Sequence, residues 1–305
     1  MASTGGAGGM RIGGRAAAAA AAALCAACAG PAFAATPAAD LFYERALMTA
    51  ADQACRLFAP DVAAALTAAK AQARGAALRS GADQASLAGL EARADAAGVA
   101  ACRSPRIGAA AAQVRAAFAG YAALSGMTFP GELSSWTASR SAGDGWRAVQ
   151  RDRFGWDVML FGVAGHGPDR VLTAVADFAD GARPYGARLV LRDAALTSGP
   201  YLDAREADIA GRLPIDARLP PRAATRVFNA EAMAPAGALQ GPDMRGAWAF
   251  RFPAGAAGAL AGLDPREAIA VEFLFAGEHG DSVRTAYVEV GDFAAARAFQ
   301  AVAQR

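Results

Sequence analysis

The chain has 305 residues, of which 54% are hydrophobic, and its formal net charge is +2. A chain of this length buries a sizeable core in one large or two ordinary domains. The 30 basic and 28 acidic residues are nearly balanced and form no dense basic run, which argues against nucleic-acid binding, because that function needs clustered cations.

The first 34 residues have the three parts of a cleavable secretory signal. Arg11 and Arg15 form a short positive region, residues 16–29 form an apolar run, and Ala32-Phe33-Ala34 supplies the small residues that a signal peptidase recognises. We therefore expect cleavage near Ala34 and a mature protein in the periplasm or the external medium. The mature chain would carry 28 basic residues, two fewer than the full chain, against 28 acidic ones.

Other interpretations of this segment fit less well. A membrane anchor needs about 20 apolar residues, and this run is shorter. A lipoprotein would use Cys28, but Cys25 stands three residues before it, where an aliphatic residue belongs. No second apolar stretch is long enough to span a bilayer, so we expect no membrane span after signal removal. Translation could start at Met1 or at Met10.

Residues 35–124 are predicted to form a four-helix domain, because apolar residues recur at steps of three and four. Pro60 ends the first predicted helix, and Ser104 with Pro105 opens the fourth. After signal cleavage Cys55 and Cys102 are the remaining cysteines, and an oxidising compartment favours their pairing over two free thiols. Short connections favour an up-down-up-down bundle, which brings the two cysteines to the same end.

Residues 125–145 are rich in Ser, Gly and Thr and are predicted to be a linker, with one short helical turn around 133–138. Residues 146–305 are predicted to form an antiparallel, sandwich-like β domain, because short β-leaning runs alternate with tight turns. The candidate strands are 146–150, 156–163, 171–178, 187–192, 224–230, 244–252, 269–276 and 283–290. Residues 293–303 are predicted to form a closing helix, and 199–222 and 231–243 to be loops. The fold class is therefore α+β, with a disulfide-stapled helical bundle before the β domain.

Two glycine-flanked turns carry the histidines of the chain, His166 and His279. If the two turns lie at the same end of the sheet, these histidines with Glu278 and Asp281 could hold a metal ion such as zinc. The spacing of the four residues is not diagnostic, and two exposed turn histidines remain the simpler alternative. We therefore predict no bound cofactor.

Motifs for nucleophilic catalysis and for phosphate-binding loops do not occur in the sequence. Three pairs of carboxylates remain as possible general acids and bases, although such residues are also common in solvated turns. They are Asp152 with Asp157, Asp177 with Asp180, and Glu206 with Asp208.

Arginines recur along the candidate strands. If Arg188, Arg192, Arg245 and Arg251 lie on one face, they could bind an anionic ligand or an envelope polymer through their guanidinium forks. Arg226 and Arg284 extend the same pattern. Basic residues are almost all arginine in this chain, so ordinary solvent-facing arginines explain the pattern equally well.

The chain resembles the uncharacterised exported proteins of GC-rich alphaproteobacteria. The resemblance lies in the signal, in the helical unit with Cys55 and Cys102, and in the tail Val283-Arg-Thr-Ala-Tyr-Val-Glu-Val-Gly-Asp-Phe. It implies no residue roles. We expect a non-enzymatic periplasmic binding module or envelope-associated module, whose unidentified partner could be an envelope polymer or another protein. The alternative is a periplasmic hydrolase that uses paired carboxylates or a histidine-centred metal.

Overall fold

The computed structural model describes residues 38–140, 145–165, 169–206 and 212–302. The predicted signal peptide lies outside these ranges. The described residues confirm the predicted fold class: a helical region comes first, antiparallel sheets follow, and a short helix closes the chain.

The helical region consists of α1 (Ala38–Cys55), α2 (Pro60–Arg79), α3 (Gln84–Ala101) and α4 (Ile107–Ala123). Pro60 occupies the first turn of α2, where its missing N–H costs no hydrogen bond. Asp83 caps α3, because its carboxylate accepts a hydrogen bond of 2.8 Å from the Ser86 amide. Helix α4 begins at Ile107, two residues after the predicted start, and the Ser104 hydroxyl accepts from the Arg106 amide.

Helices α1 and α3 lie side by side and run parallel. A Cβ atom on Gly98 of α3 would lie 2.5 Å from Cβ of Ala50, so the glycine permits the close approach. Four residues further along α3, Cys102 forms a disulfide with Cys55 at a Cα–Cα distance of 5.5 Å. The predicted pairing is confirmed, and it joins the ends of two parallel helices.

The β region contains a seven-stranded and a four-stranded sheet, and every pair of neighbouring strands is antiparallel. The strands are β1 (Gly126–Pro130), β2 (Ser135–Ser139), β3 (Trp146–Phe154), β4 (Asp157–Ala164), β5 (Val171–Asp177), β6 (Gly186–Arg192), β7 (Thr225–Asn229), β8 (Ala232–Pro235), β9 (Trp248–Arg251), β10 (Ala268–Phe275) and β11 (Ser282–Glu289). The sheet orders are β1-β2-β3-β4-β5-β9-β8 and β11-β10-β6-β7. Helices α5 (Ala254–Ala261) and α6 (Phe293–Phe299) complete the described elements.

The predicted linker is wrong in its local structure, because it contains β1 and β2. Phe129, Trp136 and Ala138 are buried, and exposed residues alternate with them. A period of two is the pattern of a strand with one face on the core. The expected helical turn around 133–138 is therefore a tight turn followed by a strand. Strand β8 likewise lies within the predicted loop 231–243.

The two sheets pack face to face through aromatic side chains. Phe273 of the four-stranded sheet contacts Phe154, Phe178 and Phe250 from the seven-stranded sheet, with ring centroids 5.2 to 5.8 Å apart. Offset and edge-to-face contacts of this kind add to the free energy of burial. The inner faces of the sheets thus form the centre of the core.

The helical region shares this core. Phe299 of α6 contacts Tyr121 of α4 at 5.4 Å between centroids and Phe129 of β1 at 5.8 Å. Val62 and Ala65 of α2 belong to the same buried cluster as the sheet residues. Among the described helices, none is both long enough and apolar enough to cross a membrane.

A single segment passes from the four-stranded sheet to the seven-stranded sheet through only two residues, with a bend at Glu231. Strand β7 ends at Asn229 and β8 begins at Ala232. Between them, the Ala230 amide donates to the Ala187 carbonyl on β6, and the Glu231 amide donates to the Arg251 carbonyl on β9. Each sheet therefore receives an edge strand from the same segment.

Candidate functional site

A cleft of about 200 Å³ opens between α2 and the segment that includes α6. Thr67, Lys70 and Arg74 line it from α2, and Asp292 lines it from the start of α6. The remaining wall is aliphatic and consists of Ala71, Ala261, Leu263, Pro265, Val290, Ala294 and Ala295, with Gly75 and Gly291. An apolar concave wall with a few polar groups is the usual character of a binding site for a small molecule.

A buried ion pair holds the two sides of the cleft together. Nη1 and Nη2 of Arg79 donate to the two carboxylate oxygens of Asp292 at 2.6 and 2.9 Å. Burial raises the pKa of Asp292, and the nearby Arg79 only partly offsets this effect. Gly75 faces the same carboxylate, and a Cβ atom there would lie 2.0 Å from Oδ1 of Asp292.

The two basic side chains on α2 are held from α3. Nζ of Lys70 lies 2.8 Å from Oε1 of Glu91. Arg74 donates to the side-chain oxygen of Gln84, whose Nε2 donates to Asp264 at 2.5 Å. The amide of Gln84 therefore links the guanidinium of Arg74 to the segment that follows α5.

Asp264 ends this chain of hydrogen bonds. Burial disfavours its ionised form, but hydrogen bonds from Arg266 and Gln84 outweigh burial, and the pKa of Asp264 is lowered. Arg266 binds it with two contacts of 3.0 Å. The Asp264 carboxylate is thus paired, and it holds the Gln84 amide that contacts Arg74 in the cleft.

The predicted histidine cluster is only partly covered by the structure, since His166 lies outside the described residues. Glu278, His279 and Asp281 lie exposed in the turn between β10 and β11. The Tyr185 hydroxyl donates to Asp281 at 2.6 Å, which raises the pKa of Tyr185. Among the described residues, no group of three or more histidines, cysteines and acids could hold a metal ion. A metal site that includes His166 stays a prediction.

The four arginines of the predicted anion face do not lie on one sheet. Arg188 and Arg192 belong to β6 in the four-stranded sheet, whereas Arg251 belongs to β9 in the seven-stranded sheet and Arg245 lies just before it. The alternation of side chains along a strand can be predicted from the sequence, but the sequence does not reveal which sheet each strand joins.

Buried acids already pair with the two arginines on β6. Arg192 is itself buried and binds Glu267 at 2.5 and 3.1 Å. Arg188 binds Glu272, which also accepts from Arg222. The Arg188–Glu272 pair links β6 to β10 within the four-stranded sheet, and the contacts with Glu267 and Arg222 fasten this sheet to the segments before β10 and β7.

The side chains of Arg251 and Arg226 also have partners within the chain, whereas Arg245 is bound through its backbone amide. Nη2 of Arg251 donates to the Asp169 carbonyl at 3.1 Å, and the backbone amide of Arg245 donates to Asp177. The guanidinium of Arg226 lies 4.7 Å from the ring centroid of Phe228.

Three carboxylates of the predicted pairs, Asp157, Asp177 and Asp180, accept hydrogen bonds within the fold. Asp157 accepts from the Ala179 amide at 2.9 Å, and both Asp157 and Asp180 accept from Arg284. The contact with Arg284 lowers the pKa of Asp180 to about 2. Burial raises the pKa of Asp152. Asp208 lies outside the described residues. A catalytic role for any pair stays a prediction.

Sequence reasoning also missed a group of buried hydrogen-bond donors beside the core. Oη of Tyr121, Nη2 of Arg140 and Nε2 of Gln300 are buried, and none of them forms a hydrogen bond with another residue that the structure describes. The rest of the Arg140 guanidinium donates to the carbonyl oxygens of Tyr121, Leu124 and Phe299. Arg140 therefore caps the ends of α4 and α6, where helix carbonyls lack partners. Burial raises the pKa of Tyr121 to about 12.

Comparison with known protein families, characterised proteins and solved structures finds no match to this chain. The function must therefore be argued from the residues of the molecule itself. The cleft beside α2 combines a cavity, basic side chains and an aliphatic wall, and it is therefore taken as the candidate binding site.

Proposed function

We propose that the protein is an exported, non-enzymatic binding module that acts in the periplasm or outside the cell and binds its ligand in the cleft between α2 and α6. The observation that carries the proposal is the Cys55–Cys102 disulfide. Disulfides persist in oxidising compartments, and the first 34 residues have the pattern of an export signal.

The cleft supports a binding role over a catalytic one. Its basic groups lie on one helix and its acid, Asp292, is bound at both oxygens by Arg79. A carboxylate engaged in this way is poorly placed to transfer protons to a substrate. The hydrolase alternative has less support, because Asp157, Asp177 and Asp180 accept hydrogen bonds from the fold itself.

Export is tested by producing the full chain in a Gram-negative host and analysing the periplasmic fraction by intact mass spectrometry. We expect a chain that starts after residue 34, and cysteines that an alkylating reagent labels only after reduction. Leu24→Arg is the control, because a charge in the apolar run should block export and leave the chain uncleaved. An uncleaved wild-type chain with reactive thiols would refute the proposal.

Binding is tested by native mass spectrometry of the protein purified from that fraction. We expect an additional small mass on the wild-type protein that is lost in Ala294→Phe, since a phenyl ring there would fill the cleft. The matched control is Ala116→Phe on the exposed side of α4, which should keep the additional mass. Retention of the mass by Ala294→Phe would place binding elsewhere.

A further inference from the structure

The cleft carries more positive than negative charge. Asp292 is compensated by Arg79, and Lys70 shares its charge with Glu91. Arg74 instead contacts the neutral amide of Gln84, and within the part of the chain that the structure describes no carboxylate pairs with it. An uncompensated guanidinium favours an anionic partner, and its fork matches a carboxylate.

The rest of the cleft is aliphatic. Leu263, Pro265 and Val290 line it together with Ala71 of α2, and no aromatic ring or further acid is among its lining residues in the described structure. Its volume of about 200 Å³ is below the range of typical drug-sized pockets. These dimensions suit a short aliphatic body better than a sugar, which would need many hydrogen-bond partners.

Contacts within the fold hold the Arg74 guanidinium in place before any ligand binds. Gln84 contacts both Arg74 and Asp264, which in turn binds Arg266. The Arg79–Asp292 pair fixes α2 against the start of α6. Affinity benefits from such rigidity, because less side-chain freedom is lost when the ligand binds.

We infer that the cleft binds a small aliphatic monocarboxylate, with its carboxylate at Arg74 and Lys70 and its hydrocarbon chain along Leu263, Val290 and Ala294. This inference rests on the proposed function, since it names the ligand class of the same cleft. The single lysine of the chain lies at the carboxylate end and provides a specific probe.

The test uses hexanoate as the probe and the full mature protein with its disulfide intact. Reductive ¹³C-methylation keeps the charge of Lys70 and adds one lysine signal to the NMR spectrum, which Lys70→Arg identifies by its loss. We expect hexanoate to shift this signal in a saturable manner. We expect hexan-1-ol, which has the same chain without the charge, to bind at least about tenfold more weakly.

Variants at Arg74 test its contact with the ligand carboxylate, and a control variant outside the cleft tests for effects on the fold. Arg74→Gln should weaken hexanoate binding about 10- to 100-fold, because a charge-assisted hydrogen bond is lost. Arg74→Lys keeps the charge and should retain part of the affinity. Arg103→Gln, an exposed arginine outside the cleft, is the matched control and should bind like the wild type.

Three results would overturn the inference. They are equal binding of hexanoate and hexan-1-ol, unchanged affinity in Arg74→Gln, and equal binding of acetate and hexanoate, which would mean that the aliphatic wall contributes nothing. If native mass spectrometry shows a cleft ligand while hexanoate fails to bind, the ligand class is wrong and the binding function survives. If native mass spectrometry shows no cleft ligand and hexanoate does not bind either, the proposed function is refuted as well.

Discussion

Gly75 determines how closely α2 approaches α6. Its missing side chain leaves room for the Asp292 carboxylate, which would lie 2.0 Å from a Cβ atom, and Arg79 binds that carboxylate from the same helix. Overpacking of a tight contact costs about 1–3 kcal/mol. Alanine also stabilises a helix by about 0.5–1 kcal/mol relative to glycine. We therefore expect Gly75→Ala to lower the free energy of unfolding by a net amount of about 1–2 kcal/mol, measured by urea denaturation.

Gly89 provides the matched control for this prediction. It lies within α3, and nothing lies within 4 Å of a Cβ atom built there. Because glycine weakens a helix, Gly89→Ala should raise stability by about 0.5–1 kcal/mol. Similar effects of the two substitutions would contradict the role assigned to Gly75.

The buried Tyr121 hydroxyl lies beside the Arg140 guanidinium but forms no hydrogen bond of good geometry with a described residue, and an unsatisfied hydroxyl costs the folded state free energy. We expect Tyr121→Phe to raise the free energy of unfolding by about 1 kcal/mol at neutral pH. Burial raises the pKa of Tyr121 from 10.0 to about 12. The unfolded chain therefore ionises first, and stability falls as the pH rises from 10 to 12.

The same substitution should remove this part of the alkaline destabilisation. The measurement is the free energy of unfolding at pH 7 and pH 11 for the wild type, for Tyr121→Phe and for the control Tyr43→Phe on α1. Tyr43→Phe should leave the alkaline loss unchanged. Destabilisation of Tyr121→Phe at neutral pH would mean that the hydroxyl has a partner after all.

At the scale of elements, the disulfide restrains the ends of α1 and α3 across a sequence separation of 47 residues. On the chain-entropy account, a loop of this size stabilises the folded state by about 4 kcal/mol. We expect the double variant Cys55→Ser, Cys102→Ser to lose a free energy of this order. Its urea denaturation curve should match that of the reduced wild type, and a curve equal to that of the oxidised wild type would refute the restraint.

The elements that sequence reasoning found are those with strong periodicity or clear end signals. Alternation of Val271, Phe273 and Phe275 predicted β10, and the hairpin to β11 is confirmed. Strands β1 and β2 were missed because serine, glycine and threonine fill their exposed positions, although Phe129 and Trp136 alternate toward the core. The buried face of α1 is formed by Phe42 with Ala46, Ala50 and Ala51, and alanines give little periodic signal in the sequence.

The candidate site could likewise be predicted only in part from the sequence. Lys70 and Arg74 are four residues apart on a predicted helix, so sequence places them on one face. Nothing in the sequence indicates that Asp292, more than 200 residues away, would face them, because that contact depends on how α6 packs against α2. The arginines that were predicted to share one face lie on or beside strands of two different sheets. Local sequence patterns do not encode this strand order.

At the scale of the whole molecule, the helical and β regions share one buried core. Val62 of α2, Phe118 of α4 and residues of both sheets belong to the same cluster. We therefore expect a single calorimetric unfolding transition, with equal calorimetric and van't Hoff enthalpies, instead of separate melting of residues 35–124 and 146–305. The measurement is differential scanning calorimetry of the oxidised mature protein. Two resolved transitions would contradict this expectation.

The segment that forms β7 and β8 has a consequence for how the chain tolerates change during evolution. Because side chains along an extended backbone alternate in direction, deleting one residue near Ala230 would turn one of the two edge strands inside out. The two connecting residues, 230 and 231, cannot absorb the shift, since their amides already bond to different sheets. Length variation among descendants of this sequence should therefore accumulate in other connections and spare this corner.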